Sequence, residues 1–595
     1  MKDLRFLNKY FFQYRRLLIW GTIFVAASNY FRVLQPQVIR DALDLVVDNI
    51  HLYRQFDGSP LQADFFRELG GVLLFFGALV LFLALVMGLF MYFMRQTIVV
   101  MSRLIEYDLR KEIFGHYEKL HLAFYKRNNT GDLMSRITED VSKVRTYLGP
   151  AVLYGINLVT LFVLVIYAMF SVSWELTLYC LAPLPLLSVS IYYVSDLINK
   201  RSTVIQRQLA HLNSVAQEVY SGIRVVKSYV QERFMGKYFA EQSEVYKEKA
   251  LQLAKVDAMF FPIMLLLIGA STIITVYIGG LQVINGKITT GNIAEFVIYV
   301  NMLTWPVTSI GWIASIVQQA AASQRRINEF LETQPAIQSP VTDPHPFQGN
   351  VVFDNVTFVY PDTGIRALDK VSFSLRPGQK MAVIGRTGSG KTSLADLMVR
   401  MYDVTEGSIR LDEKDIRELD LANLRQRIGY VPQDVFLFSD SVANNIAFGN
   451  SNATWSEIQK FARHAAVYED IVELSEGFET LVGERGVTLS GGQKQRLSIA
   501  RALIKHPDIV ILDDCLSAVD TNTEKKILGY LEEELADKTA IIITHRIYSL
   551  LQFDKIIVLE HGHIVEEGTH EELLQRGGYY ADLFERQRSE DEVDV

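Results

Sequence analysis

The chain has 595 residues, 49% hydrophobic and only 21% charged, with 67 acidic against 59 basic side chains and a net charge of −8. Domains run to about 100 to 200 residues, so at least two folded units are expected, and the mixed charge offers no basic face for a nucleic-acid partner. The two cysteines, Cys180 and Cys515, imply no disulfide framework.

Apolar residues are unevenly spread: long apolar runs fill the chain before about Gln319, and charges, glycines and short apolar runs fill the rest. A bilayer core about 30 Å thick needs roughly 20 apolar residues at helical rise. Six runs meet that length, near Leu17 to Leu34, Gly71 to Met94, Pro150 to Phe170, Leu176 to Ile198, Phe260 to Ile284 and Ile293 to Ile316. Arg15 and Arg16 precede the first, whereas the loop after it carries Asp41, Asp44, Asp48, Asp57, Asp64 and Glu68. The positive-inside rule therefore puts the N-terminus in the cytoplasm. The long gaps 95–147 and 199–258 are rich in Lys and Arg, and the third and fifth gaps are short. An even number of spans then places both termini, and the soluble half, on the cytoplasmic side of the cell's inner membrane.

The stretch Phe6 to Arg16 reads as an interfacial helix rather than part of a cleaved leader. Arg32 and Glu295 are the marked charges inside the spans, either functional groups or side chains that snorkel to an interface. Pro183, Pro185 and Pro306 predict kinks in the fourth and sixth spans.

In the soluble half, Met381 to Ile384 reads as a buried strand. It runs into Gly385, Arg386, Thr387, Gly388, Ser389, Gly390, Lys391 and Thr392, and a helix opens at Ser393. Glycines at this spacing let backbone N–H groups close on phosphates, Lys391 reaches the β- and γ-phosphates of ATP, and Thr392 suits Mg2+. A second strand, Ile509 to Leu512, ends in Asp513, a carboxylate that P-loop enzymes place near the metal. Between them lies Leu489, Ser490, Gly491, Gly492 and Gln493, which alone could be a turn with Ser490 as an N-cap.

Taken together, these motifs resemble the ATP-binding-cassette superfamily, in the exporter arrangement that fuses membrane and nucleotide domains. The resemblance spans essentially the whole chain. It implies a six-helix all-α transmembrane domain over 1–330, a linker over 331–349 and an α/β nucleotide-binding domain over 350–595. It also implies that Tyr360 stacks on adenine and that Gln433 senses Mg2+. Leu489 to Gln493 becomes the signature presented to a partner's ATP, Thr480 to Gly486 the exporter loop before it, Ser517 to Asp520 the D-loop and His545 the switch histidine. The stretches Asn129 to Arg136 and Ser221 to Lys227 resemble the intracellular loops whose short helices dock on nucleotide domains.

One position departs from the family pattern. Where the family carries a glutamate as general base after the Asp513 strand, this chain has Asp514. A carboxylate shortened by one methylene withdraws by about 1.5 Å, which is large against the hydrogen-bond reach a general base requires. The resemblance then implies a heterodimer, with a second half-transporter supplying the missing glutamate; a homodimer using Asp514 as base is the alternative. The expected substrate is a hydrophobic or amphipathic compound, a drug or a lipid, in the bilayer. A lipid flippase, or an ATP-gated regulator or channel subunit, stays open.

Overall fold

The computed structural model describes residues 3–55, 58–59, 61–339, 341, 347–483, 489–516, 519, 521–545 and 552–593. The chain divides into two compact units. The first comprises Met1–His116 and Gly131–Thr333, the second Tyr117–Thr130 and Gln334–Val595.

The first unit is all helix. Among the described residues, five helical stretches are long and apolar enough to cross a membrane: Arg15–Gln55, Leu61–Tyr117, Thr130–Val172, Glu232–Ile284 and Thr290–Leu331. At 1.5 Å per residue, the 53 residues of Glu232–Ile284 extend about 80 Å, well past a bilayer. The most apolar window of Leu61–Tyr117 is only 6% buried within the chain, so most of its apolar surface is left uncovered by the other described helices.

The expectation of six spans meets a difference at the fourth. Its residues are shared between the helices Trp174–Leu181 and Pro183–Ser221, which part at Ala182. Pro183 has no N–H to continue the hydrogen-bond ladder, so the ladder is interrupted at the proline that predicted a kink, while Ala182 keeps helical backbone angles (φ −55°, ψ −37°) and its N–H still donates to the Leu178 carbonyl. Pro306 lies inside the unbroken helix Thr290–Leu331.

The N-terminal turns do not lie free. Leu4, Leu7 and Tyr10 are buried. Lys9 pairs with Glu112, Tyr10 donates to the same carboxylate, and the Tyr14 hydroxyl donates to Asp108 at 2.7 Å. Glu295 is fully buried rather than snorkelling. It accepts from the Tyr299 hydroxyl at 2.9 Å and from the Asn292 amide and Arg40 guanidinium at 3.2 Å each. Beside it, Asp44 accepts from the Gly291 N–H at 2.6 Å. A Cβ at Gly291 would sit 2.5 Å from the Arg40 carbonyl oxygen, so only glycine allows this approach.

The second unit is α/β. An antiparallel sheet of order β2-β1-β4-β5 is formed by β1 (Val351–Val359), β2 (Arg366–Leu375), β4 (Glu406–Leu411) and β5 (Lys414–Asp415). A second sheet has the order β10-β9-β3-β8-β7-β6. Its strands are β3 (Lys380–Gly385), β6 (Ile428–Val431), β7 (Ile509–Asp513), β8 (Thr539–Ile543), β9 (Lys555–Glu560) and β10 (His563–Gly568). β9, β3, β8, β7 and β6 run parallel. Strands β7 and β8 are buried at every position, as continuous Val and Ile runs require when both faces of a parallel sheet are covered.

The short helix Leu122–Arg127 belongs to this second unit, although the first unit flanks it in sequence. Ala123 enters the same core as Val351, Phe358 and Tyr402, and the Arg127 guanidinium donates to the Pro361 carbonyl. The docked helix thus lies just before the Asn129 to Arg136 stretch in which sequence placed it. The helix Ile223–Ser228, in the second stretch read as a docking loop, leaves Ile223 and Val225 exposed.

Candidate functional site

Neighbouring strands of the parallel sheet end at one place. The Gly385 to Thr392 loop follows β3, His545 follows β8 and Asp513 closes β7, and these three strands are adjacent. Segments up to about 160 residues apart in sequence thereby meet at the carboxyl edge, where open α/β sheets bind ligands. A cavity of about 290 Å3 lies there. It is lined by Tyr360, Thr387, Gly388, Gly390, Lys391, Thr392, Ser393, Gln433, Asp513, Asp514 and His545, with Ile365, Arg366 and Ala367 at its edge.

The loop is built for close approach. Gly388 and Gly390 take φ of 81° and 103°, the left-handed region that side chains disfavour. A Cβ at Gly390 would sit 2.3 Å from the Ala367 carbonyl oxygen. The helix Lys391–Met398 starts directly after, so its free N–H groups and positive dipole end face the cavity. The Lys391 ammonium donates to the carbonyls of Gly385 and Arg386 at 2.7 and 2.9 Å. Burial pulls its pKa down, against the pull of Asp513 and Asp514.

Asp513 is buried, and burial raises its carboxyl to about 6 despite a hydrogen bond from Thr392. Its Oδ2, like the Ser389 hydroxyl, has no hydrogen-bond partner among the described residues. A buried carboxylate oxygen without a donor carries a desolvation penalty that a bound cation would relieve. Asp514 takes φ of 48°, and its Oδ2 lies 2.8 Å from His545 Nε2. The His545 carbonyl accepts from the Gln587 amide at 3.0 Å. Tyr360 packs edge-on against Phe358 and Tyr402, with centroids 4.8 and 5.4 Å away, and its hydroxyl meets Ser393 Oγ at 2.8 Å.

Leu489 to Gln493 does not line this cavity. Ser490 caps the helix Gly491–Leu503 in a capping box: its Oγ accepts from the Gln493 N–H at 3.2 Å, and its own N–H donates to Gln493 Oε1 at 3.0 Å. Leu489 is anchored in the core, and the Gln493 amide donates to Asp470 at 3.0 Å. Asp520, with Ser517 and Ala518, lies outside the described residues, as do 484–486 of the exporter loop.

Sequence reasoning missed Lys126. Its ammonium stands 5.0 Å from the Tyr360 ring centroid and 5.3 Å from that of Tyr402. The only sequence signal was a basic residue shortly before the Asn129 motif. Asp396, whose carboxyl burial raises, was also missed; it accepts from the Tyr430 hydroxyl at 3.3 Å.

Residues 18–307 match the family model of the ABC transporter transmembrane region, and residues 368–517 that of the ABC transporter. The multidrug resistance-like ATP-binding protein MdlA of Escherichia coli (strain K12) is 38% identical over 526 residues, covering 88% of this chain and 89% of that one. An ATP-dependent lipid A-core flippase of Pseudomonas fluorescens (strain Pf0-1) is 36% identical over 482 residues, covering 80% and 79%. The solved structure of a bacterial Atm1-family ABC exporter with ATP bound superposes with a TM-score of 0.77 at 26% identity, covering 96% of this chain and 98% of that one.

Proposed function

This chain belongs to the ATP-binding-cassette transporter family, an ATP-hydrolysing membrane exporter of the multidrug or lipid type, and from that premise we propose that it is one half of a heterodimer whose Asp514 site turns over slowly. The observation carrying this reading is the position after β7. An aspartate stands there, and its carboxylate is engaged with His545 at 2.8 Å. A base must come within about 2.6 to 3.2 Å of the proton it takes, and a side chain one methylene short, held on a histidine, falls behind that reach.

In this reading ATP binds in the 290 Å3 cavity. The P-loop N–H groups and Lys391 cradle its phosphates, Tyr360 stacks on adenine and His545 faces the γ-phosphate. Thr392, Gln433 and Asp513 would hold Mg2+, and the orphaned Asp513 oxygen beside Thr392 suits a hard, oxygen-seeking cation. The chemistry such an ion would supply is compensation of the phosphates' negative charge. The signature from Leu489 to Gln493, outside the cavity of its own chain, would close over the partner's ATP. The proposed membrane domain covers 1–330, a linker 331–349 and the nucleotide domain 350–595, with both termini cytoplasmic. Closure on ATP would switch the membrane half from inward- to outward-facing and release a hydrophobic or amphipathic compound, because ATP and cargo bias the same two-state element.

The test is the ATPase rate of the purified full chain in lipid, beside Asp514→Glu. A negligible native rate that rises at least tenfold in the variant supports the reading. A robust native rate abolished by Asp514→Ala overturns it and leaves a homodimer with Asp514 as base.

A further inference from the structure

A second cavity, of about 610 Å3, lies within the first unit. Arg32, Arg95, Met91, Asn157, Tyr154 and Trp305 are among the residues lining it, and no carboxylate among the described residues does. Arg32 sits on the helix Arg15–Gln55 in its apolar part, and neither it nor Arg95 has an ion-pair or hydrogen-bond partner among the described residues. The contrast within that helix is direct. Arg40, further along, pairs with both Asp41 and Glu295, and the Asn29 amide in the same cavity is already donating to Thr160 at 2.6 Å. The opposite wall is aromatic: Tyr154 packs edge-on to Trp305 and Trp312, with centroids 5.3 and 5.4 Å away, and Trp305 stays 47% exposed.

An uncompensated guanidinium at membrane depth is costly, and such groups mark ligand paths. Its planar fork matches a carboxylate or phosphate, while Met and aromatic walls accept an alkyl chain. We propose that this cavity binds an amphiphile with an anionic headgroup, with Arg32 as the headgroup contact and Arg95 adding to the attraction. The proposal rests on the exporter reading and names the charge class of its cargo. That class has two sources, an anionic lipid of the bilayer and a soluble anionic amphiphile.

Trp305 supplies the reporter. The full chain is placed in phosphatidylcholine nanodiscs and titrated with bromododecanoate, bromododecanol and bromododecyltrimethylammonium, and the quenching lost in Trp305→Phe is taken as the cavity signal. The carboxylate is expected to bind about tenfold tighter than the alcohol and the cation weakest. Arg32→Gln should erase the preference and Arg32→Lys should keep part of it. Weakened carboxylate binding in phosphatidylglycerol nanodiscs identifies a bilayer lipid as occupant; unchanged binding identifies the soluble amphiphile. Equal affinity for all three probes in the native chain, which needs no variant to fold, overturns the proposal, as does an unaltered preference in Arg32→Gln. Because no nucleotide is present, a chain that hydrolyses ATP but shows no preference sinks this inference alone. A chain that prefers the carboxylate but never binds ATP sinks the transporter reading instead.

Discussion

Two of the buried carboxylates, one chosen from each unit, have opposite surroundings. Glu295 in the membrane unit is enclosed by three donors, from Arg40, Tyr299 and Asn292. Asp513 in the nucleotide unit has one oxygen without a donor among the described residues, at the edge of a cavity that also holds Lys391. Satisfied buried charge is architecture, because the protein itself offsets the desolvation; unsatisfied buried charge points to a ligand. Arg32, unpaired in its own cavity, falls on the Asp513 side of that division.

Substitutions can break or sharpen this division. Lys391→Ala is expected to have the largest effect, lowering ATP affinity at least about a hundredfold while leaving thermal stability nearly unchanged, read by titration with a fluorescent nucleotide. Glu295→Ala should do the reverse. Leaving Arg40 and Tyr299 without their acceptor is expected to destabilise the membrane unit by about 3 kcal/mol, seen as a lower unfolding temperature in lipid with ATP affinity intact. If Glu295→Ala instead weakened nucleotide binding and spared stability, the division would fail.

The third prediction concerns pH. The Asp513 carboxyl is raised to about 6, so the nucleotide-free native state holds this proton more tightly than the unfolded chain does. Its stabilisation is full below about 4 and lost as pH rises through about 6, by at most about 3 kcal/mol. The stability difference between the native chain and Asp513→Asn should therefore shift against the native chain across that window. A difference independent of pH would mean the carboxyl is not raised. The smallest effect is expected at Ser490: removing the cap with Ser490→Ala should cost about 1 kcal/mol in thermal unfolding, while Ser490→Asp restores it.

Much of the candidate site was legible because its residues fall in short motifs. Gly385 to Thr392, Asp513, Asp514 and His545 each announce themselves by residue type beside an apolar strand, and the sheet then brings them together. Lys126 was not legible, since the docking signal in the sequence starts at Asn129, and nothing within the helix Leu122–Arg127 itself records that it belongs to the second unit. Hydropathy located the spans by composition and Pro183 marked the interruption of the fourth, yet neither could decide between burial and snorkelling for Glu295. That choice depends on what the other helices place alongside, which a single window of sequence does not contain.

The excursion of Tyr117–Thr130 into the nucleotide unit also sets a timetable for biogenesis. Arg127 and Pro361 are 234 positions apart. At a synthesis rate of about 5 to 20 residues per second, the helix Leu122–Arg127 leaves the ribosome roughly 10 to 50 s before its partner exists. Throughout that interval the strands that share a core with Ala123 have not yet been made. Expressing Gln334–Val595 alone would remove the helix and bare that apolar seat permanently, so the excised fragment should aggregate more readily than one supplied with Tyr117–Thr130 as a separate peptide.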